Sequence, residues 1–320
     1  MLILFTSPYR DSKKNLEYMK KLTPNNKGSW KNINGTSDIN NFDYIVVLDD
    51  VDKDIEKMGE NNFKKLINND YNKIIHFHRE NKEIIKFERK TWYSLNILPN
   101  INKKFICNKF KYTFIFPSFL NKTYDELKNI PYGEKNKLLS SITSYKKNTR
   151  YGGDYNKRVN FLINYSKSND ISIYGKGWPS KVLGNNYKGE LDSYHKKIGK
   201  TSKLDGLLDY HYSIALENFP NEETFSEKIT DCILCWAIPI YSGHSKITQY
   251  LPEKSYHLID LNDKNINEKI NNIIKNKPTD ENINALKDAR NLILDKYNIW
   301  EQIYQIINNY DNFIQNYKLK

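Results

Sequence analysis

Short apolar runs alternate with amphipathic stretches along the chain. Leu2–Phe5, Tyr44–Leu48 (YIVVL), Ile74–Phe77 and Tyr112–Phe116 (YTFIF) read as strands apolar on both faces, the pattern of a buried parallel sheet. Between the second and third, Asp54–Leu66 carries Ile55, Met58, Phe63 and Leu66 at helical spacing and predicts a crossover helix. A polar, proline-punctuated segment from Pro117 to Asn136, with Tyr124 and Leu127, reads as a linker. A second series follows, with strands expected at Leu138–Ile142, Ile171–Tyr174, Ser213–Leu216, Ala237–Tyr241 and Tyr256–Leu258. Asp154–Ser166 predicts a helix with Val159, Leu162 and Ile163 inward and Asp154 as its N-cap. Beyond Asn265 the pattern is helical, over Ile266–Ile274, Glu281–Leu294 and Trp300–Tyr317. The sum is two Rossmann-like α/β domains facing a ligand cleft, with a helical C-terminal tail.

The 320 residues suffice for two domains with sizeable cores. The net charge of +12 has two readings: a surface for nucleic acid or anionic membrane, or lysines scattered over a solvated surface. No long uninterrupted basic run occurs, which favours the second, so no nucleic-acid partner is expected. The 3 cysteines, Cys107, Cys232 and Cys235, do not make a disulfide framework. Cys232 and Cys235 form a lone CxxC inside an apolar run, without a second CxxC or a histidine at finger spacing, and read as core residues. The apolar run opening MLILFTSPYR is too short for a signal peptide, and no later run would span a bilayer, so the expectation is a soluble cytoplasmic protein or one delivered as part of a larger particle. Oligomeric state leaves no mark in the sequence.

The chemistry concentrates in Tyr212–Gly243, YSIALENFPNEETFSEKITDCILCWAIPIYSG. Glu217 and Asn218 end an expected strand, where polar side chains over a cleft commonly touch ligands. Glu227 and Lys228 open an apolar helical run. Thr224 with Glu227 fits a capping box, S/T-x-x-E, which would give Glu227 a purely structural task. The alternative is a helix N-terminus that binds phosphate, with Lys228 adding charge where a lysine is otherwise unfavourable. Arg158 lies on the helix behind Gly152-Gly153, a glycine pair that lacks the spacing of either phosphate-loop motif.

The segment YHYSIALENFPNEETFSEKITDCILCWAIPIYSG resembles the donor-binding signature of the α-1,3/4-fucosyltransferases, glycosyltransferase family 10. Glu217-Asn218, Glu227-Lys228, Pro239, Tyr241 and Gly243 carry the match. Upstream, LLSSITSYKKNTRYGGDYNKRVNFLINY resembles the family's strand-loop-helix, with Arg158 at the matching arginine and Ser144 and Lys146 before it. ISIYGKGW at Ile171–Trp178 resembles the following strand, which ends in Tyr-Gly, here Tyr174-Gly175. The resemblance runs from about Leu138 to Tyr256. It implies a GT-B fold, a GDP-linked sugar donor, usually GDP-fucose, and a glycan acceptor. It places Arg158 and Lys228 on the donor diphosphate, Glu227 on the ribose, and Glu217 and Asn218 near the sugar.

The N-terminal half resembles the family weakly, through KIIHFHREN at Lys73–Asn81, which places the general base on Glu80. The implied domains are an acceptor-binding domain over 1–130, a donor-binding domain over 131–296 and a C-terminal helix over 297–320 that could pack back across both. The implied reaction is an inverting transfer in which Glu80 takes the acceptor proton while Arg158 and Lys228 neutralise the leaving diphosphate. Because Arg and Lys can do this, no cofactor is required, no metal site is expected, and a divalent cation is left only as a stimulant. A transferase of the same type using another GDP-sugar stays open. So does a different class, an inactive basic α/β protein that binds glycan or nucleic acid. Ser29–Asn41 and Phe87–Asn102, where acceptor loops belong, carry no readable signal.

Overall fold

The computed structural model describes residues 1–48, 52–77, 119–147, 152–179, 181–191, 202–220 and 225–309. The expected strand Tyr112–Phe116 lies outside these. The apolar runs within them are strands, because a segment apolar on both sides is best buried in the middle of a parallel sheet. Two compact units result, each with its own sheet.

The first unit takes its described residues from Met1–Phe116, Thr123–Glu126 and Tyr297–Lys320. Its strands are Leu2–Thr6 (β1), Ser29–Trp30 (β2), Ile33–Thr36 (β3), Tyr44–Leu48 (β4) and Ile74–Phe77 (β5), in the order β2-β3-β1-β4-β5. All neighbours are parallel except β2 against β3. Leu4, Ile45, Val47 and Ile74 pack with Ile55, Phe63 and Ile67. The single helix expected over Asp54–Leu66 is two, Lys53–Met58 and Glu60–Leu66, because Gly59 between them takes φ 78°. The last described helix, Ile299–Asn308, packs in this unit. The fully buried Trp300 meets Phe5 edge-on at 5.0 Å and donates from Nε1 to Met19 O.

The second unit takes its described residues from Pro117–Lys122 and Leu127–Lys296. Its strands are Lys137–Ile142 (β6), Ser172–Tyr174 (β7), Tyr187–Gly189 (β8), Tyr210–Leu216 (β9), Ile238–Ser242 (β10) and His257–Leu258 (β11). They run β11-β10-β9-β6-β7-β8, all parallel. From β6 the chain moves outward to β7 and β8, then returns to β9 on the other side of β6. The direction of winding thus reverses between β6 and β9, and in open parallel sheets ligands bind beyond the carboxyl ends of the strands at such a point. The helices Tyr155–Tyr165 and Glu227–Leu234 start just beyond those ends. The helix expected over Glu281–Leu294 runs Asp280–Asn291 and closes in a π-type turn, Leu292–Lys296.

Candidate active site

A cavity of about 270 Å³ lies at the reversal point, within the second unit. The end of β6 and the residues after it contribute Ile142, Ser144 and Lys146. Ser213, Ile214 and Ala215 of β9 form its floor, with Asn218 just beyond. Arg158 and Tyr155 enter from one helix, Glu227 and Lys228 from the other. Of the residues singled out in the sequence, six therefore meet around one cavity: Ser144, Lys146, Arg158, Asn218, Glu227 and Lys228.

Arg158 is only 5 % exposed, and its Nε has no hydrogen-bond partner among the described residues. Burial lowers its pKa, partly offset by Glu217, Tyr155 and Glu227. Its helix starts tight against the end of β9, where Asp154 N donates to Asn218 O at 2.7 Å. Gly153 permits this: it takes φ 82°, and a Cβ there would sit 2.5 Å from Asn218 O. Asp154 is the N-cap residue as expected, but its side chain makes no cap bond and pairs with Lys157 at 3.3 Å instead.

The helix Glu227–Leu234, hereafter the site helix, corrects the capping-box expectation. Its N-cap is Ser226, whose Oγ accepts from Lys228 N at 3.3 Å, so Glu227 is the first helical residue and not the third. Glu227 is thereby left to face the cavity, with its side chain 38 % exposed. Lys228 Nζ lies 3.2 Å from Glu227 and 3.4 Å from Glu217. Burial pushes the Glu227 carboxyl up, but Lys228 and Lys203 outweigh it and hold it at about 2. Lys228 is raised in turn, because Glu227 and Glu217 outweigh its own burial.

Glu217, Tyr174, Gly175 and Tyr241 are not among the cavity-lining residues. Glu217 is buried and holds the start of the site helix, accepting from Ser226 N at 2.9 Å, from Ser226 Oγ and from the Tyr241 hydroxyl at 3.2 Å. The Tyr241 hydroxyl accepts from His244 N at 3.1 Å. Tyr174 and Tyr210 share a hydrogen bond between hydroxyls at 2.9 Å. Gly175, at φ 143°, lets its strand end abut the segment that carries Ser144; a Cβ would fall 2.2 Å from Thr143 O. Glu217, with Tyr241 behind it, thus supports the start of the site helix rather than lining the cavity. Glu80 lies outside the described residues.

Lys203 and Asp231 also line the cavity and were not anticipated. Asp231 follows Glu227 by four residues, so helical periodicity alone places both on one face. Lys203 sits in a turn before β9 and has no comparable local signal. Cys232 and Cys235 are buried free thiols, and burial pushes the Cys232 thiol up to about 12. Among the described residues no group of three or more His, Cys, Asp and Glu is placed to hold a metal ion. Nor, among them, is any helix long and apolar enough to cross a membrane.

Two solved structures share this fold. An α-glucosyltransferase in complex with UDP superposes with a TM-score of 0.51 at 8% identity, over 96% of this chain and 99% of that one. An α-glucosyltransferase in complex with UDP-glucose and DNA containing an abasic site gives 0.51 at 12% identity, over 96% and 99%. A crystal structure of α1,3-fucosyltransferase matches at 16% identity over 99% of this chain and 80% of that one, with a TM-score of 0.34. No curated protein sequence matches significantly. The fold is that of the GT-B glycosyltransferases. Residues 133–313, more than half of the chain, match the family model described as Glycosyltransferase family 10 (fucosyltransferase) C-term. The chain belongs to glycosyltransferase family 10 and is a glycosyltransferase enzyme.

Proposed function

We propose that the enzyme moves fucose from GDP-fucose to a hydroxyl of a glycan acceptor, with inversion at the anomeric carbon. The observation that carries the donor half is Arg158, a buried guanidinium with an unpartnered Nε on a cavity it shares with Lys228 and Lys146. A cation this enclosed is costly to keep unless an anion completes its surroundings, and a diphosphate does so. Glu227, held ionised at the first turn of the site helix, is a hydrogen-bond acceptor for ribose hydroxyls. The fucosyl group and the GDP carrier follow from the family and from the resemblance of Tyr212–Gly243 to its donor signature.

In this reading Glu80 takes the proton of the acceptor hydroxyl as its oxygen attacks the anomeric carbon. The bond from that carbon to the β-phosphate oxygen breaks, and GDP leaves with the electron pair. Arg158 and Lys228 neutralise the charge that grows on the diphosphate, a contribution worth ~10²–10³-fold per contact in comparable sites. Each cation is already inside the cavity, so little rearrangement accompanies the charge build-up. Binding and turnover of GDP-fucose, other GDP-sugars and UDP-glucose, followed by calorimetry and GDP or UDP release, test this. Selective use of GDP-fucose is expected. Selective use of another GDP-sugar would keep the site and change the sugar, whereas preference for UDP-glucose, or no binding at all, would overturn the donor assignment.

A further inference from the structure

Lys203 and Asp231 are charged groups of the cavity that the reaction above does not employ. Lys203 Nζ donates to Asp231 Oδ2 at 2.7 Å, with side chains 21 % and 3 % exposed. Such an enclosed pair loses solvation on both sides, and apolar residues of similar size would commonly serve stability as well. Its place in the cavity is the clue. Four cations, Lys146, Arg158, Lys203 and Lys228, face two carboxylates, Glu227 and Asp231. Lys228 is divided, reaching Glu227 at 3.2 Å and Glu217 at 3.4 Å. A diphosphate that attracts Lys228 weakens its hold on Glu227 at the moment Glu227 must accept from the ribose. Another cation is then needed beside Glu227, one that cannot itself follow the phosphate. Lys203 fits, because Asp231, one turn along the site helix on the same face as Glu227, anchors it.

We propose, resting on the GDP-sugar reading above, that Lys203 is a positioning residue of the donor site: anchored on Asp231, it keeps Glu227 an ionised, fixed acceptor for the ribose hydroxyls while Lys228 serves the diphosphate. Its charge acts on Glu227, second only to that of Lys228.

The test compares GDP with its dideoxyribose analogue by calorimetry, at about pH 7 and about pH 5, both above the ordinary carboxylate range but the second close to it. The proteins are wild type, Lys203→Met, the double variant Lys203→Met with Asp231→Asn, and Lys203→Arg. The double variant avoids a buried unpaired carboxylate, so a folded protein is available even if the single variant is not. Wild type should prefer GDP. That preference should fall about tenfold in the Met-containing variants, the size of one weakened charge-assisted hydrogen bond, and return in Lys203→Arg. Relative to wild type, GDP binding by the Met-containing variants should weaken further at the lower pH, as Glu227 begins to take up a proton. A purely structural Lys203 would weaken both nucleotides equally at both pH values, and that outcome, or an unchanged preference, overturns the role. Wild-type protein that binds neither nucleotide overturns the GDP-sugar reading and the role of Lys203 with it.

Discussion

Arg158 and Lys228 both face the cavity, but the protein treats their charges differently. Lys228 is held between Glu227 and Glu217, whereas the Arg158 Nε finds no partner among the described residues. Removing each should therefore have opposite effects on stability. Arg158→Met removes a buried cation that costs solvation, so the ligand-free melting temperature should hold or rise. Lys228→Ala leaves the buried Glu217 carboxylate without its cation, so the melting temperature should fall, by an amount corresponding to about 1–3 kcal/mol. GDP affinity should drop in both, by ~10²-fold for Arg158→Met if it is the main diphosphate contact. Thermal melting with and without GDP reads both effects together. A destabilised Arg158→Met that still gains full protection from GDP would mean that the protein alone satisfies this guanidinium.

The site helix is tied at both ends, which explains how its first turn is kept in place. Ser226 and Glu217 hold the N-terminus. At the other end Arg290 donates to Leu234 O and Leu127 O and lies 4.4 Å over the Trp236 ring, while Lys135 Nζ donates to Cys235 O at 3.3 Å. Cations at a helix C-terminus are favoured by the dipole and by the free carbonyls there. Ser226→Ala should cost about 1 kcal/mol in denaturant unfolding and weaken GDP binding, with Ser226→Thr restoring both. Lys135 gives a pH signature. Burial lowers its pKa from 10.5 to about 8. The unfolded chain therefore holds this proton more tightly, and stability should rise as pH goes from about 8 towards about 10, by on the order of 1–3 kcal/mol. Urea unfolding at both pH values should show that rise in wild type and a flatter dependence in Lys135→Met; equal slopes would place the lysine outside this linkage. The elements legible in the sequence were those with strong local signals, such as YIVVL in β4 and the apolar run of the site helix. Strands β2, β3 and β8 were not, because SW, INGT and YKG are too short and polar to stand out from loops. Among site residues, Glu227, Lys228 and Arg158 are marked by helix starts, whereas Lys203 owes its position to tertiary packing alone. Glu217 was legible as a polar strand end, but only the contact with Ser226 makes it a support for the helix.

At the scale of the whole molecule, the described part of the candidate site belongs to one unit, since all the cavity-lining residues come from the second unit's strands, helices and connecting turns. Its four cations and two carboxylates are equipped to hold an anionic donor, and neither carboxylate can act as a base without giving up a binding task. Glu227 is engaged with Lys228, and Asp231 with Lys203. The proton of the acceptor hydroxyl then needs another base, and the function proposed above assigns it to Glu80. If binding and proton removal are divided in this way, they should separate by mutation. Glu80→Gln keeps the size of the side chain and removes its basicity. Its GDP affinity by calorimetry should stay within about twofold of wild type, while fucosyl transfer falls by ~10²–10⁴-fold, the usual contribution of a general base. Lys228→Ala should instead impair both, raising the Kd for GDP and slowing transfer at saturating donor by ~10²–10³-fold, because its charge serves the bound diphosphate and the leaving one. GDP release from GDP-fucose, measured with a panel of glycans and with water as acceptor, supplies the rates whichever acceptor the enzyme uses. Turnover of Glu80→Gln at the wild-type rate would remove Glu80 from the mechanism and leave the base to be sought among other carboxylates of the N-terminal half.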